Sequence, residues 1–166
     1  MNYPNPIVFV HGMQGSWLKN QYPVDYQDEI YWTGILRKQF SKIHLSSIDS
    51  TVDYDIDRFI FPHQAVALIY ESIVEELRRE VTEQTYMFTY DWRKDNRSSA
   101  KKLGDFVKMV LTKAKAHAIQ KKEKAPTKVS LVGHSMGGLV IKWYVCQILK
   151  ERAEKKIHRH PIVNQL

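Results

Sequence analysis

The sequence predicts an α/β fold: a parallel sheet with helices on both faces. Three observations lead there. Short, largely apolar runs occur at Pro6–Val10, Tyr86–Tyr90 and Lys128–Val132. Longer stretches with apolar residues at helical spacing separate them. A turn of small residues, Gly133-His134-Ser135-Met136-Gly137, joins the last run to an apolar helix. Strands that lack an alternating wet side belong in a sheet covered on both faces, and their alternation with helices makes that sheet parallel.

The elements follow in chain order. PIVFV, Pro6 to Val10, is a buried strand that ends in His11-Gly12. Residues 21–62 mix aromatic and acidic side chains, as in SSIDSTVDYDIDRFIFPH, and are expected to hold one helix near Trp32 to Phe40. A connection of that length is more than a plain loop, and such excursions often form lids or binding loops. Val66, Ile69, Tyr70, Ile73, Val74 and Leu77 repeat at helical spacing and predict an amphipathic helix ending near Val81. YMFTY is the second strand and leads into Asp91-Trp92-Arg93. From about Ser98, Leu103, Phe106, Val107, Val110 and Leu111 mark one face of a helix whose opposite face is lysine-rich. The strand Lys128 to Val132 comes next, then a helix from Met136 to about Lys155. No repeat, linker or low-complexity segment divides the chain, so residues 1–166 read as a single domain.

Composition narrows the classes. Of 166 residues, 43% are apolar and 26% charged, which is ordinary for a globular protein. The single cysteine, Cys146, excludes an internal disulfide framework and fits a reducing compartment. MNYPNPIVFV has neither the basic start nor the apolar length of a signal peptide, and no run approaches a membrane span, so a cytoplasmic location is expected. The net charge of +7 comes largely from lysines on helix faces. A solvated surface accounts for it, with a weak membrane-surface contact as the sharper option. No aromatic interleaving accompanies the lysines, so nucleic acid is not an expected partner.

Chemistry concentrates at Ser135. In G-x-S-x-G, small residues at Gly133 and Gly137 let strand, turn and helix crowd together, with the serine at the tip of the bend. The hydroxyl then stands at the start of a helix, whose dipole favours developing negative charge. Acyl transfer needs two donors aimed at an oxyanion. The backbone N–H of Met136 is one. The loop after the first strand, His11-Gly12-Met13, supplies the other through the N–H of Met13, with Gln14 its nearest rival.

PIVFVHGMQGSWL, FTYDWRKDN and VSLVGHSMGGLV together resemble the α/β-hydrolase superfamily, and specifically its lecithin:cholesterol acyltransferase-like branch. The Tyr90-Asp91-Trp92-Arg93 element is the most branch-specific of the three, and the resemblance runs from Pro6 to about Tyr144. It implies an α/β-hydrolase sheet and a serine ester hydrolase or O-acyltransferase acting on acyl esters or lipids. An acyl-enzyme on Ser135 would carry the reaction, without metal or cofactor. The lid cysteines of secreted members are missing here. In the superfamily the triad order is Ser, then Asp or Glu, then His, and the last two follow later strands. This chain reaches Leu166 before such strands fit, so the fold is expected to be incomplete after the nucleophile helix, truncated at its C-terminus, with the serine strand as an apolar edge. Glu151 or Glu154 with His158 or His160 has the right order but the wrong place. A helix of this length puts them roughly 30 Å from Ser135 at about 1.5 Å per residue. His11 and His134 lie nearer and have no evident carboxylate partner. The competing reading is a non-catalytic remnant, or a module that binds an acyl ligand or a membrane surface.

Other patterns carry less. Ser16-Trp17-Leu18-Lys19 fits S-x-x-K without the companion motifs of β-lactamases. Asp53, Asp55 and Asp57 resemble the start of a calcium loop but lack its glycine and closing glutamate. Asp91 is expected to structure its loop through Arg93 or a backbone N–H. Trp92 and Trp143 are expected in the core. The seven histidines show no metal-ligand spacing, so no metal site is expected.

Overall fold

The computed structural model describes residues 3–20, 29–32, 43, 45 and 60–154. Its elements are β1 (Ile7–Val10), β2 (Ser16–Asn20), β3 (Glu29–Trp32), β4 (Ile60–Ala65), α1 (Ala67–Glu80), β5 (Thr85–Phe88), α2 (Asn96–Gln120), β6 (Ser130–Gly133) and α3 (Met136–Glu154). The predicted apolar runs form one parallel sheet in the order β5-β1-β6, with Val8 opposite Tyr86 on one side and Leu131 on the other.

Alternation along β1 sends successive side chains to opposite faces of this sheet. Phe9 packs with Tyr70 and Val74 of α1. Val8 and Val10 pack with Leu103, Val107 and Val110 of α2 and with Val140, Tyr144 and Ile148 of α3. Helices therefore cover both faces, which is why the strands show no polar alternation. The lysine-rich face of α2 is exposed at Lys101, Lys102, Lys108, Lys113 and Lys115. This helix starts two residues before Ser98, because the Asp95 side chain accepts the Arg97 N–H at 2.8 Å and caps it at Asn96. Among the described residues β6 lies at an edge of the sheet, with Leu131 and Val132 only half-buried.

A second sheet lies beyond what the sequence pattern predicts. It is antiparallel, in the order β3-β2-β4. Leu18 and Ile60 form its small core with Ile43, and Trp92 packs against them. β2 is SWLKN, in which only Ser16 and Leu18 are buried, too few apolar positions to signal a strand. β4 contains Pro62, which weakens any strand assignment but is tolerated at the edge position that β4 holds among the described residues. Trp32, near which the sequence predicts the start of a helix, closes β3 instead. Residues 33–40 of that predicted helix, and the acidic run around Asp53, lie outside the described residues.

The tryptophans divide. Trp92 is half-buried between the two cores, and its indole N–H donates to the Ser16 carbonyl at 3.1 Å. Trp143 is not a core residue. It is 40% exposed in a groove between α2 and α3, because the buried stripe of α3 runs through Val140, Tyr144, Val145 and Ile148 instead.

Asp91 structures its loop through Arg93, as expected. One carboxylate oxygen accepts the Arg93 N–H at 3.1 Å and Nε at 2.8 Å, and the other meets the guanidinium at 2.6 Å. The arginine also donates to the Ile43 carbonyl at 3.1 Å, tying the loop to the second sheet. Both side chains are nearly inaccessible, at 4% for Arg93 and 7% for Asp91. Removing one member of a buried ion pair is destabilising, because the charge left behind has lost its hydrogen-bonded counterion. Asp91→Ala is expected to lower stability by about 3–5 kcal/mol in urea unfolding at pH 7. Replacing both, as Asp91→Leu with Arg93→Met, is expected to recover most of that. A single-variant loss below about 1 kcal/mol would mean the pair behaves as an exposed one.

Candidate active site

The site is built where β1 and β6 end side by side. After Val10 the chain makes a tight turn in which Gly15 N–H bonds the Gly12 carbonyl at 3.1 Å and Gln14 has φ 60°. A positive φ at the third residue is what a type II turn demands. After Gly133 the chain bends again: His134 N–H bonds the Val10 carbonyl at 3.0 Å, and Ser135 has φ 53°. A left-handed serine between a strand and a helix is a strained conformation, costing about 1–3 kcal/mol, and surrounding packing must hold it. Here Gly137 N–H bonds the His134 carbonyl and Gly138 N–H the Ser135 carbonyl, both at 2.9 Å.

Two glycines permit the crowding. A Cβ on Gly137 would overlap the Val10 carbonyl oxygen and stand 2.5 Å from that of His11. One on Gly12 would meet the Ser135 Cβ at 3.0 Å. The two sequence-predicted segments, His11-Gly12-Met13 and Ser135-Met136, are thus brought into contact. Ser135 is exposed, the Met13 side chain is 60% exposed, and Met136 packs against the main core. Among the described residues, no hydrogen bond falls on the N–H of Met13 or of Met136. The Gly12 N–H, by contrast, donates to the Tyr70 hydroxyl at 2.9 Å.

The nearby histidines have distinct environments. His11 is fully buried and stacks on Tyr90 at 4.3 Å between ring centroids. Its Nε2 accepts the Tyr90 N–H at 3.2 Å, so Nδ1 carries the proton and donates to the Gly12 carbonyl at 2.8 Å. The Tyr90 hydroxyl donates back to the His11 carbonyl at 2.9 Å. Both ring nitrogens are spent on structure, and burial lowers the pKa to about 4. His11 is a neutral strut rather than a base. His134 is exposed, with Nδ1 at 3.0 Å from the Tyr70 hydroxyl. Neither ring has a carboxylate partner among the described residues. Glu154, at the far end of α3, lies 3.9 Å from Lys150, and His158 and His160 fall outside the described residues.

His11 gives a pH prediction. Its folded pKa lies below the unfolded value of 6.5, so the unfolded chain binds the proton first as pH falls. The stabilising contribution is complete above pH 6.5 and is lost between there and about pH 4. It amounts to about 3 kcal/mol. The ring is expected to stay neutral at pH 5 in an NMR titration, while urea midpoints fall across this window. A His11 signal titrating near pH 6.5 would contradict the buried, doubly bonded ring.

Among the described residues no cluster of three or more His, Cys, Asp or Glu side chains could hold a metal ion, and no helix is long and apolar enough to cross a membrane. Sequence reasoning missed Tyr70 as a site residue. Its place in the apolar repeat of α1 marked it as core, and only the hydroxyl on an otherwise aliphatic stripe hinted at more.

A family model described as a PGAP1-like alpha/beta domain matches residues 4–160. Neither a curated protein nor a solved structure shows a significant match. The α/β-hydrolase-type assignment stands on this finding, whereas the lecithin:cholesterol acyltransferase-like branch is not the family that matches. The chain belongs to the PGAP1-like alpha/beta domain family, a hydrolase-like fold.

Proposed function

We propose that the protein is a serine ester hydrolase or O-acyltransferase of lipid metabolism, with Ser135 as nucleophile. The observation that carries this reading is the left-handed Ser135, at φ 53°, exposed at the head of α3 with the Gly12 turn packed against it. Ser135 Oγ attacks the acyl carbonyl of an ester and passes its proton to a base. The Met13 and Met136 N–H groups receive the oxyanion. Collapse breaks the ester C–O bond, the alcohol leaves with the proton, and the acyl group remains on Ser135. Water then completes hydrolysis, or a second alcohol completes transfer. The reading includes an acyl ester or lipid as substrate, a weak contact with a membrane surface and a cytoplasmic location suited to the lone, exposed Cys146.

A second reading is favoured by one observation: neither His11 nor His134 has a carboxylate partner among the described residues. A module that binds an acyl ligand without turning it over would need none. A fluorophosphonate probe separates the two, since it reacts with an activated serine hydroxyl. Stoichiometric modification mapped to Ser135 supports the enzyme; an unreactive, folded chain supports the binding module.

A further inference from the structure

We propose that Tyr70 is a positioning residue that sets the donor loop against Ser135 and fixes the tautomer of His134, a role that rests on Ser135 being the nucleophile. Tyr70 is 4% exposed and stands on α1 with its ring beside Phe9, at 5.7 Å between centroids. Its hydroxyl reaches a place where the turn after β1 and the turn after β6 adjoin. There it accepts the Gly12 N–H at 2.9 Å and lies 3.0 Å from His134 Nδ1.

The proton count decides the direction of the second bond. A phenol has one proton to give, and a buried one needs an acceptor for it. The Gly12 N–H occupies a lone pair, so the phenolic proton goes to His134 Nδ1. That nitrogen is therefore bare, and the ring proton resides on Nε2.

Two consequences follow for the site. Tyr70 holds the His11–Gly12 peptide with its N–H turned toward α1, so the Gly12 N–H is unavailable to an oxyanion and Met13 supplies the next one in line. The other end of the turn is held by the same helix, since Val66 N–H, at the cap of α1, bonds the Gly15 carbonyl at 2.9 Å. The loop is clamped at both ends by α1. In addition, His134 cannot act as the base for Ser135: Nε2 already carries its proton, and Nδ1 accepts from Tyr70.

The wild-type chain tests the tautomer without any variant. Nitrogen-15 spectra of the histidine rings at neutral pH are expected to show His134 as the Nε2–H form and His11 as the Nδ1–H form. Tyr70→Phe keeps the ring and deletes the hydroxyl. It is expected to release His134 into a tautomer mixture and to lower the maximal rate of fluorophosphonate modification at Ser135 about tenfold to a hundredfold. The probe concentration at half-maximal rate should stay near wild type, because the donors act on the transition state rather than on binding. A lesion of packing alone would reduce the folded fraction and leave the rate per folded molecule and the tautomer unchanged. An Nδ1–H form of His134 in the wild type overturns the proposal. So does a Tyr70→Phe chain with the wild-type rate while Ser135→Ala is unreactive, and in that case the nucleophile stands without its positioning residue. Modification of Ser135→Ala at the wild-type rate removes the nucleophile, and the role of Tyr70 falls with it.

Discussion

Ser135→Ala is expected to remove ester turnover by three orders of magnitude or more while leaving the protein folded. Loss of a nucleophile abolishes the covalent route and leaves only the acceleration that donors and binding provide, and single replacements of such residues cost about 10⁴–10⁶ in rate. The fold should tolerate the change. Ser135 is exposed, and alanine and serine are similarly strained at the φ of 53° that this position imposes. Turnover of p-nitrophenyl esters, measured beside thermal unfolding of the same samples, separates the two effects. If the variant keeps more than about a tenth of the rate, Ser135 is not the nucleophile.

Gly137→Ala should damage the site from beneath, through stability. Two opposing magnitudes apply. Alanine in a helix is favoured over glycine by about 1 kcal/mol. Against that, the new Cβ would press on the carbonyl oxygens of Val10 and His11, which are backbone atoms in and beside the central strand and cannot rotate away. Overpacking of this kind costs about 1–3 kcal/mol and occasionally more. The absence of any flexible neighbour to yield puts this site at the upper end, so a net loss of about 2 kcal/mol or more is expected. The adjacent Gly138 is the control. A Cβ there meets nothing within 4 Å, so only the helix propensity remains and Gly138→Ala should stabilise by up to about 1 kcal/mol. Equilibrium urea unfolding of the pair decides the matter. A Gly137→Ala variant as stable as wild type would show that β1 and α3 can separate without cost.

What the sequence by itself determined was local and periodic. β1, β5 and β6 appear as apolar runs because strands buried on both faces need apolar residues at consecutive positions, as Val8, Phe9 and Val10 show. α1 and α2 appear in the 3.6-residue repeat, and the bend at Ser135 in the glycines that flank it. Asp91 and Arg93 could be paired on paper because they are two residues apart. Only the tertiary structure decided the rest. β2 and β4 have too few inward residues to be read singly, and they become strands by pairing with each other across the chain. His11 looked like a titratable group beside the site, yet burial and the Tyr90 N–H, 79 residues away in sequence, make it a neutral strut. Tyr70 looked like core, but its hydroxyl meets Gly12 across 58 residues and His134 across 64. Local patterns record the side of an element that is buried. They carry no record of the polar group that arrives from a distant segment, and a hydrogen bond depends on that arrival to within a few tenths of an ångström.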